Sequence, residues 1–393
     1  MIQRLTKINQ FLIFVLLVGA ILYFGSRFLI PLIMGLLFAS LVMPLAKRME
    51  RAGANRILSS FISTSLVLIV SGALIGVFAY QIDHFASDIN TFHAAFLQSL
   101  NNLQDRIANI TDISIEDQMA MWQERSGDFA VWLESFVTRL IGNMFHALLI
   151  FLLILIYTYL FLFYRDKIYD FLLMYIRRLK LEDPEQILYD INKVVFYYLW
   201  GRFQVMLLLG VLFYITFIIF GLPYAVLITI ISGLITIIPY LGPFISGLLP
   251  ILFAFVFFES FEKALFFSGI IIVIQLVESY VFEPLIIGKE VRLSPLVVFA
   301  TVIGGGVMWG PIGMVVFVPL VAMFTIVARH TPELKPVGFL LGRARTEADH
   351  KEQVKTGADK PIPDPGKKVD QKADKDVENT EEDKGAKEER GEG

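Results

Sequence analysis

The fold is decided by residues 222–258, which read LPYAVLITIISGLITIIPYLGPFISGLLPILFAFVFF, with no charged residue before Glu259. As one straight helix these roughly 35 residues would extend about 50 Å, whereas the hydrocarbon core of a membrane is about 30 Å thick. Pro239 and Pro243 each remove a backbone donor, and Gly242 between them permits a sharp turn. We therefore predict two half-helices that meet inside the membrane. A proline-kinked long helix and a pair of ordinary short spans are the alternatives.

The overall composition is that of a polytopic membrane protein of the all-α class. Of the 393 residues, 56% are hydrophobic and 18% are charged, and the mean hydropathy is +0.65. The chain has no cysteine, which excludes disulfides and thiolate metal sites. It also has no Gly-Lys-Ser/Thr phosphate loop, no metal-type spacing of its histidines and no feature that suggests nucleic-acid binding. We predict a protein that is not an enzyme and has neither cofactor nor metal.

Six apolar segments are predicted to be full transmembrane helices. Basic residues lie in the short loops after the second, fourth and sixth of these segments. Because such loops face the cytoplasm, we expect both termini to be cytoplasmic. The predicted spans are 8–24, 28–46, 57–80, 145–164, 199–220 and 264–287.

Residues 81–142 differ in kind, because they carry nine acidic and three basic residues, a balance that fits the external face. Their apolar residues recur in steps of three or four, which indicates one seam along an amphipathic helix. Such a seam packs either on another helix of the same chain or on a neighbouring subunit, and the second reading predicts a homo-oligomer. The seam consists of Phe85, Ile89, Phe92, Phe96, Leu100, Leu103, Ile107 and Ile110.

Residues 295–328 repeat the pattern of the opening stretch, with breaks at 304–306 and at Gly310-Pro311. A full span followed by a broken or re-entrant hairpin thus occurs twice, as in the inverted repeats of many secondary transporters. Ten complete crossings would satisfy the charges equally well. The predicted regions are 1–80 with three spans, 81–142 as an external amphipathic helical domain, 143–198 with the fourth span and a cytoplasmic helix, 199–258 and 264–328 as the two repeats, and 343–393 as a disordered charged tail.

Glu278 is the first candidate for the substrate or ion path. It lies inside an apolar helix, one turn from Gln275, so the two side chains share a face. A carboxyl group at that depth can change its charge state, carry a proton or offset a cation. The alternative is a structural hydrogen bond to a neighbouring helix or subunit. Glu283 lies near the end of the same span, where pairing with Lys289 or Arg292 would be structural.

Gln204, in the fifth span, and Tyr240, at the broken tip, are further candidates for the path, although a helix–helix hydrogen bond and ordinary packing explain them as well. The remaining candidates are residues that break the helical backbone, and the carbonyl groups exposed at such breaks can coordinate a cation. These broken-helix tips are Pro239, Gly242, Pro243, Gly305, Gly306, Gly310 and Pro311.

The motifs resemble those of the AI-2E family of bacterial transporters, the PerM-like permeases, over about residues 8–335. The blocks that carry the resemblance are Gly201 with Gln204, Gly221-Leu222-Pro223-Tyr224-Ala225, Ile238-Pro239-Tyr240-Leu241-Gly242-Pro243, Gln275-x-x-Glu278 with Pro284 and Gly288, and Leu293-Ser294-Pro295-Leu296 with Gly305-Gly306, Gly310, Gly313 and Pro319-Leu320. Many relatives have His in place of Ser294, and asparagines in place of Ser279-Tyr280.

The resemblance implies a multi-pass protein of the bacterial inner (plasma) membrane that works as a secondary transporter. It would export a small polar solute such as autoinducer-2, with ion coupling. The alternatives are a sodium (lithium)/proton antiporter and, in a second class, an oligomeric channel or a non-transporting membrane scaffold. The expected partners are the solute or ion, membrane lipids and further copies of the chain.

Overall fold

The computed structural model describes residues 2–89, 91–92, 94–99, 135, 138–139, 142, 146–179, 181, 183–287 and 293–343. Apart from Arg343, the predicted tail therefore lies outside the described residues, and so does most of the predicted external domain. The described part is helical and contains no β-strand. Its helices are α1 (Ile2–Phe24), α2 (Ser26–Arg51), α3 (Arg56–Ser87), α4 (His146–Phe163), α5 (Arg165–Arg178), α6 (Pro184–Phe220), α7 (Ala225–Thr236), α8 (Leu241–Phe257), α9 (Phe261–Val277), a π-helix (Glu278–Ile287), α10 (Pro295–His330), a short 3-10 turn (Pro332–Leu334) and α11 (Lys335–Leu341).

Six of the described helices are long and apolar enough to cross a membrane, which confirms the all-α polytopic class. They are Ser26–Arg51, Arg56–Ser87, His146–Phe163, Pro184–Phe220, Phe261–Ile287 and Pro295–His330. The last of these was predicted to be broken, and the break lies at Trp309 and Gly310, which leave helical geometry with φ of −129° and 63°. The predicted break at 304–306 is wrong, because these residues stay helical. The predicted boundary between residues 198 and 199 falls inside α6, which is one continuous helix of 37 residues.

The helix α6 is the axis around which the other elements pack. Its length, about 55 Å, exceeds the membrane core, so its two ends mark opposite sides of the bundle. A buried cluster runs along it and joins it to the helices that follow. The members contributed by α6 are Tyr198, Val205, Leu209, Phe213 and Phe217.

Hairpin 1, which we define as α7 and α8 with the residues between them, enters and leaves at the same end of α6. The rings of Tyr224 and Phe257, at its two ends, lie 5.8 Å apart. Its tip is a tight turn, because a Cβ atom on Gly242 would lie 2.9 Å from Cα of Thr236. The contact of Phe220 with Phe258, at 6.5 Å between ring centroids, puts the base beside the C-terminal end of α6.

The base of hairpin 1 also holds α3 and the start of the predicted seam. Phe92 packs on Phe253 and Phe257 with ring centroids 5.5 and 5.6 Å apart. Burial raises the pKa of Tyr224 to about 12, and the carboxylate of Asp88 adds to that shift. The Tyr224 hydroxyl therefore stays protonated and donates to Oδ2 of Asp88 at 3.2 Å. For this part of the seam the partner is the chain's own hairpin.

Hairpin 2, which is α10, also enters and leaves on one side. Leu293, just before it, and Ile326 and Arg329, near its end, line one cavity. Asp190 and Lys193 of α6 line the same cavity, so this base lies beside the N-terminal half of α6. Hairpins 1 and 2 thus open towards opposite ends of α6, and the inverted repeat stays a prediction.

Candidate functional site: a buried charged cluster beside α6

The cluster is centred on Arg202, at the midpoint of α6. Arg202 is the only charged residue between Lys193 and Glu259. It lies 18 residues after Pro184 and 18 before Phe220, about 27 Å from either end of the helix. Its side chain is buried, and its guanidinium lies 5.9 Å from the centre of the Tyr198 ring. A buried ionisable side chain inside an apolar helix is expensive and therefore a candidate for function.

Glu283 is the partner of Arg202 across the helix interface. Nη2 of Arg202 donates to Oε1 of Glu283 at 2.6 Å. Nε and Nη1 of Arg202 have no hydrogen-bond partner within the described part of the chain. The arginine therefore has donors left for a second carboxylate or a ligand. The predicted partners of Glu283, Lys289 and Arg292, lie outside the described residues.

The π-helix positions both acidic residues of the cluster. The α-helical bonding of α9 ends at Val277, and Glu278 to Ile287 form the wider π-helix that contains Pro284. Proline supplies no backbone N–H donor, so the regular helical hydrogen bonding of the preceding turn is interrupted. The segment fits closely against α6, because a Cβ atom on Gly201 would lie 2.9 Å from Cγ1 of Ile287. Such π-helical turns occur frequently at functional sites.

Glu278 is 1% exposed, and its Oε2 atom has no hydrogen-bond partner among the described residues. The charges of Arg202 and Glu283 both act on it. An ionised carboxylate without partners is costly in an apolar interior. Glu278 therefore requires a proton or a bound cation, or else a turn of Arg202 towards it.

Gln275 links this region to hairpin 1. Its Nε2 donates to Oγ of Ser246 at 3.0 Å, and Oγ of Ser246 donates to the carbonyl of Pro243 at 3.2 Å. A Cβ atom on Gly247 would lie 2.9 Å from Cγ of Gln275, so the glycine makes room for this contact. Gln275 thus holds the N-terminal part of α8, close to the broken tip.

Tyr240 lies at the tip of hairpin 1 and has a backbone φ of 64°, which is rare for a residue with a side chain. It is about half exposed, and the charges of Glu283 and Arg202 act on it. The tip of hairpin 1 therefore lies within electrostatic reach of the cluster. Gln204 does not join it: two residues from buried Arg202, it lies on an exposed face of α6.

The predicted tip residues separate into two places. Pro239, Gly242 and Pro243 form the turn of hairpin 1, next to Tyr240. Gly305, Gly306, Gly310 and Pro311 surround the turn of hairpin 2, where Trp309 packs in a separate cluster with Leu37 and Val316. Nε1 of Trp309 donates to the carbonyl of Leu22 at 2.8 Å, which attaches this tip to the end of α1.

Sequence reasoning missed Arg202 and Ser246. The signal for Arg202 was present, since a single charge in a long apolar run is unusual, whereas a buried serine gives no such signal. Within the described residues no group of three or more histidine or acidic side chains is arranged to hold a metal ion.

Comparison with known proteins agrees with this architecture. Residues 12–333 match the family model described as AI-2E family transporter. The chain belongs to this family. It is 24% identical over 327 residues to YhhT of Escherichia coli K12, covering 82% of this chain and 90% of that protein. It is also 24% identical over 326 residues to the AI-2 transport protein TqsA of the same organism, covering 82% and 92%.

The relatives with higher identity match over shorter regions. YrrI of Bacillus subtilis is 32% identical over 141 residues, which are 36% of this chain and 39% of that protein. This AI-2E family chain therefore covers about two fifths of that relative's length.

Proposed function

We propose that this AI-2E family chain is a secondary transporter that moves a small polar solute across the membrane, with Glu278 coupling the movement to a proton or cation. Autoinducer-2 is the proposed solute class, because a full-length relative, TqsA, is named an AI-2 transport protein. Export is the proposed direction. The location we propose is the bacterial inner membrane, with both termini in the cytoplasm.

The observation that carries the proposal is the imbalance of the buried cluster. The cluster contains one arginine and two carboxyl groups, and among them only Arg202 and Glu283 are hydrogen-bonded to each other. Protonation or cation binding at Glu278 neutralises the remaining charge, and loss of that ion restores it. The electrostatic energy of the site therefore depends on ion occupancy, as coupled transport requires.

Hairpin 1 supplies the second support. Gln275, one turn from Glu278, holds the helix after the broken tip through its bond to Ser246. A change of charge at Glu278 can thus act on the broken helix beside it. Broken helices are the elements that line transporter sites and their gates.

The test is transport by the purified chain in liposomes at zero membrane potential. Efflux of autoinducer-2 is followed with and without an imposed pH gradient, while an internal dye reports the pH after sodium, lithium or potassium pulses. We expect saturable solute flux that depends on the pH gradient, and Glu278→Gln abolishes that dependence.

The matched control is Glu262→Gln, which changes an exposed acidic residue in the first turn of α9. It is expected to transport like the unmodified chain. A folded Glu278→Gln protein with unchanged rate and pH dependence contradicts the coupling role. A cation-dependent pH change without solute flux would indicate that the chain is a cation/proton antiporter and not a solute exporter.

A further inference from the structure

The helix α5 carries an exposed face that the proposed transport function does not use. Eight of its 14 residues are apolar, yet none of them is buried. Phe171 and Met174, one turn apart, are 60% and 64% exposed. Adjacent exposed apolar side chains mark a surface that contacts a partner or a membrane.

Phe171 and Met174 lie between two basic residues on one face of α5. The four residues of this face, which we call the basic stripe, are Lys167, Phe171, Met174 and Arg178. They follow one another in steps of four, three and four positions, the spacing that lines up side chains along a helix. All four are exposed. Neither Lys167 nor Arg178 forms an ion pair within the described part of the chain.

The acidic residues of α5 lie off the basic stripe. Asp166 and Asp170 each stand one position before a residue of the stripe, and consecutive positions of an α-helix point about 100° apart. The carboxylate of Asp166 also has a partner, because Nη1 of Arg56 donates to its Oδ2 at 2.7 Å. The stripe therefore presents positive and apolar side chains with no carboxylate in the same line.

Both ends of α5 are held at the ends of membrane-crossing helices. Arg165 is bonded to Glu50 in the last turn of α2. Arg177 is bonded to Glu185 in the first turn of α6. A single residue, Tyr164, separates α5 from the crossing helix α4. Because the ends of crossing helices lie near the membrane–water interface, α5 runs along that interface.

We propose that the basic stripe docks α5 on the surrounding bilayer and selects anionic phospholipids. Helices that combine basic and apolar residues in this way lie in the plane of an anionic membrane surface. Phe171 and Met174 enter the boundary of the acyl chains. Lys167 and Arg178, about 16 Å apart along the axis, contact the phosphate groups of different lipids. The proposal does not depend on transport by the chain.

The experiment measures the depth of a nitroxide label on the full chain in vesicles of phosphatidylglycerol and phosphatidylcholine. Because the chain has no cysteine, Met174→Cys provides a single labelling position. We expect this label to collide with oxygen, which concentrates among the acyl chains, and to be shielded from a water-soluble nickel chelate. The matched control is a label at Asp170→Cys, which is exposed but off the stripe and should show the reverse. Equal access of the chelate to both labels overturns the proposal.

A charge variant tests the selectivity for anionic lipid. In the chain labelled at Met174→Cys, Lys167→Gln should lower the ratio of shielded to exposed label about fivefold, the effect of one basic residue near an anionic surface. The control is Lys47→Gln, an exposed position on α2, which should leave the ratio unchanged. An unchanged ratio in Lys167→Gln contradicts the selectivity. Spin–spin broadening that disappears on dilution with unlabelled chain would show that a second copy covers the stripe, and would overturn the assignment to the bilayer.

Discussion

Gly305 and Gly313 touch backbone to backbone, although they belong to one helical segment and are eight positions apart. In a straight helix eight positions correspond to about 12 Å along the axis. The contact therefore exists only because the chain reverses at Trp309 and Gly310. A Cβ atom on either glycine would overlap the carbonyl group of the other.

Gly313→Ala is expected to destabilise hairpin 2, because the added methyl group must push the two arms apart. Overpacking of this kind costs about 1–3 kcal/mol. The control is Gly304→Ala, since a Cβ atom there meets nothing within 4 Å. Alanine favours helix over glycine by up to about 1 kcal/mol, so the control should be neutral or slightly stabilising. The midpoint of thermal unfolding in detergent checks both, and equal midpoints would argue against the reversal.

The two breaks were predictable from the sequence because their cause is local. Pro239, Gly242 and Pro243 cannot continue regular hydrogen bonding in hairpin 1, and Gly310-Pro311 cannot do so in hairpin 2. The length of each apolar run then decides that two short arms replace one span. Both breaks therefore depend only on residues that are close together in the sequence.

The composition of the cluster around Arg202 was harder to predict from the sequence, because it depends on contacts between distant segments. Arg202 and Glu283 are 81 positions apart, and nothing near Glu283 in the sequence identifies its partner. Helical periodicity correctly puts Gln275 one turn from Glu278, but it does not reveal the bond to Ser246. The partner of the seam shows the same limit: Phe92 packs on hairpin 1 of its own chain, more than 150 residues later.

Ser246→Ala should destabilise the contact between α8 and α9. It removes the acceptor of Gln275, whose Oε1 already has no partner in the described part of the chain. Leaving a buried amide unpaired costs about 1–3 kcal/mol. The double variant Ser246→Ala with Gln275→Leu removes both polar partners and should recover most of that loss. Chemical unfolding of the single and double variants tests this, and additive losses would show that the two side chains do not interact.

Trp309→Phe is expected to loosen the tip of hairpin 2 without unfolding the chain. The ring keeps its packing against Phe317, 5.0 Å away, but the bond to the Leu22 carbonyl is lost. A neutral hydrogen bond contributes about 1 kcal/mol. Hydrogen exchange should accelerate by about fivefold in the peptides around 305–313. Trp200→Phe, at an exposed position on α6, should leave these peptides unchanged. The same acceleration in both variants would refute an anchoring role.

The pair of Arg202 and Glu283 permits a prediction that separates folding from transport. Glu283→Gln leaves a buried guanidinium without its counter-ion, which costs about 3 kcal/mol, the lower end of the range for a broken buried pair, since Glu283 keeps some exposure. Replacement of both residues by methionine removes the two charges together. Such replacements of buried pairs are often neutral for stability or better.

The double methionine variant should therefore regain a thermal midpoint near that of the unmodified chain while solute flux stays low. Arg202 is the basic residue whose charge affects Glu278 within the described residues, and this variant lacks it. A change in the charge of Glu278 then has no arginine to attract. Flux and midpoint are measured on the same purified protein in liposomes and detergent. Recovery of both would make the pair a structural element and would leave Glu278 to act alone. Recovery of stability without flux would mean that the pair of Arg202 and Glu283 takes part in the transport cycle.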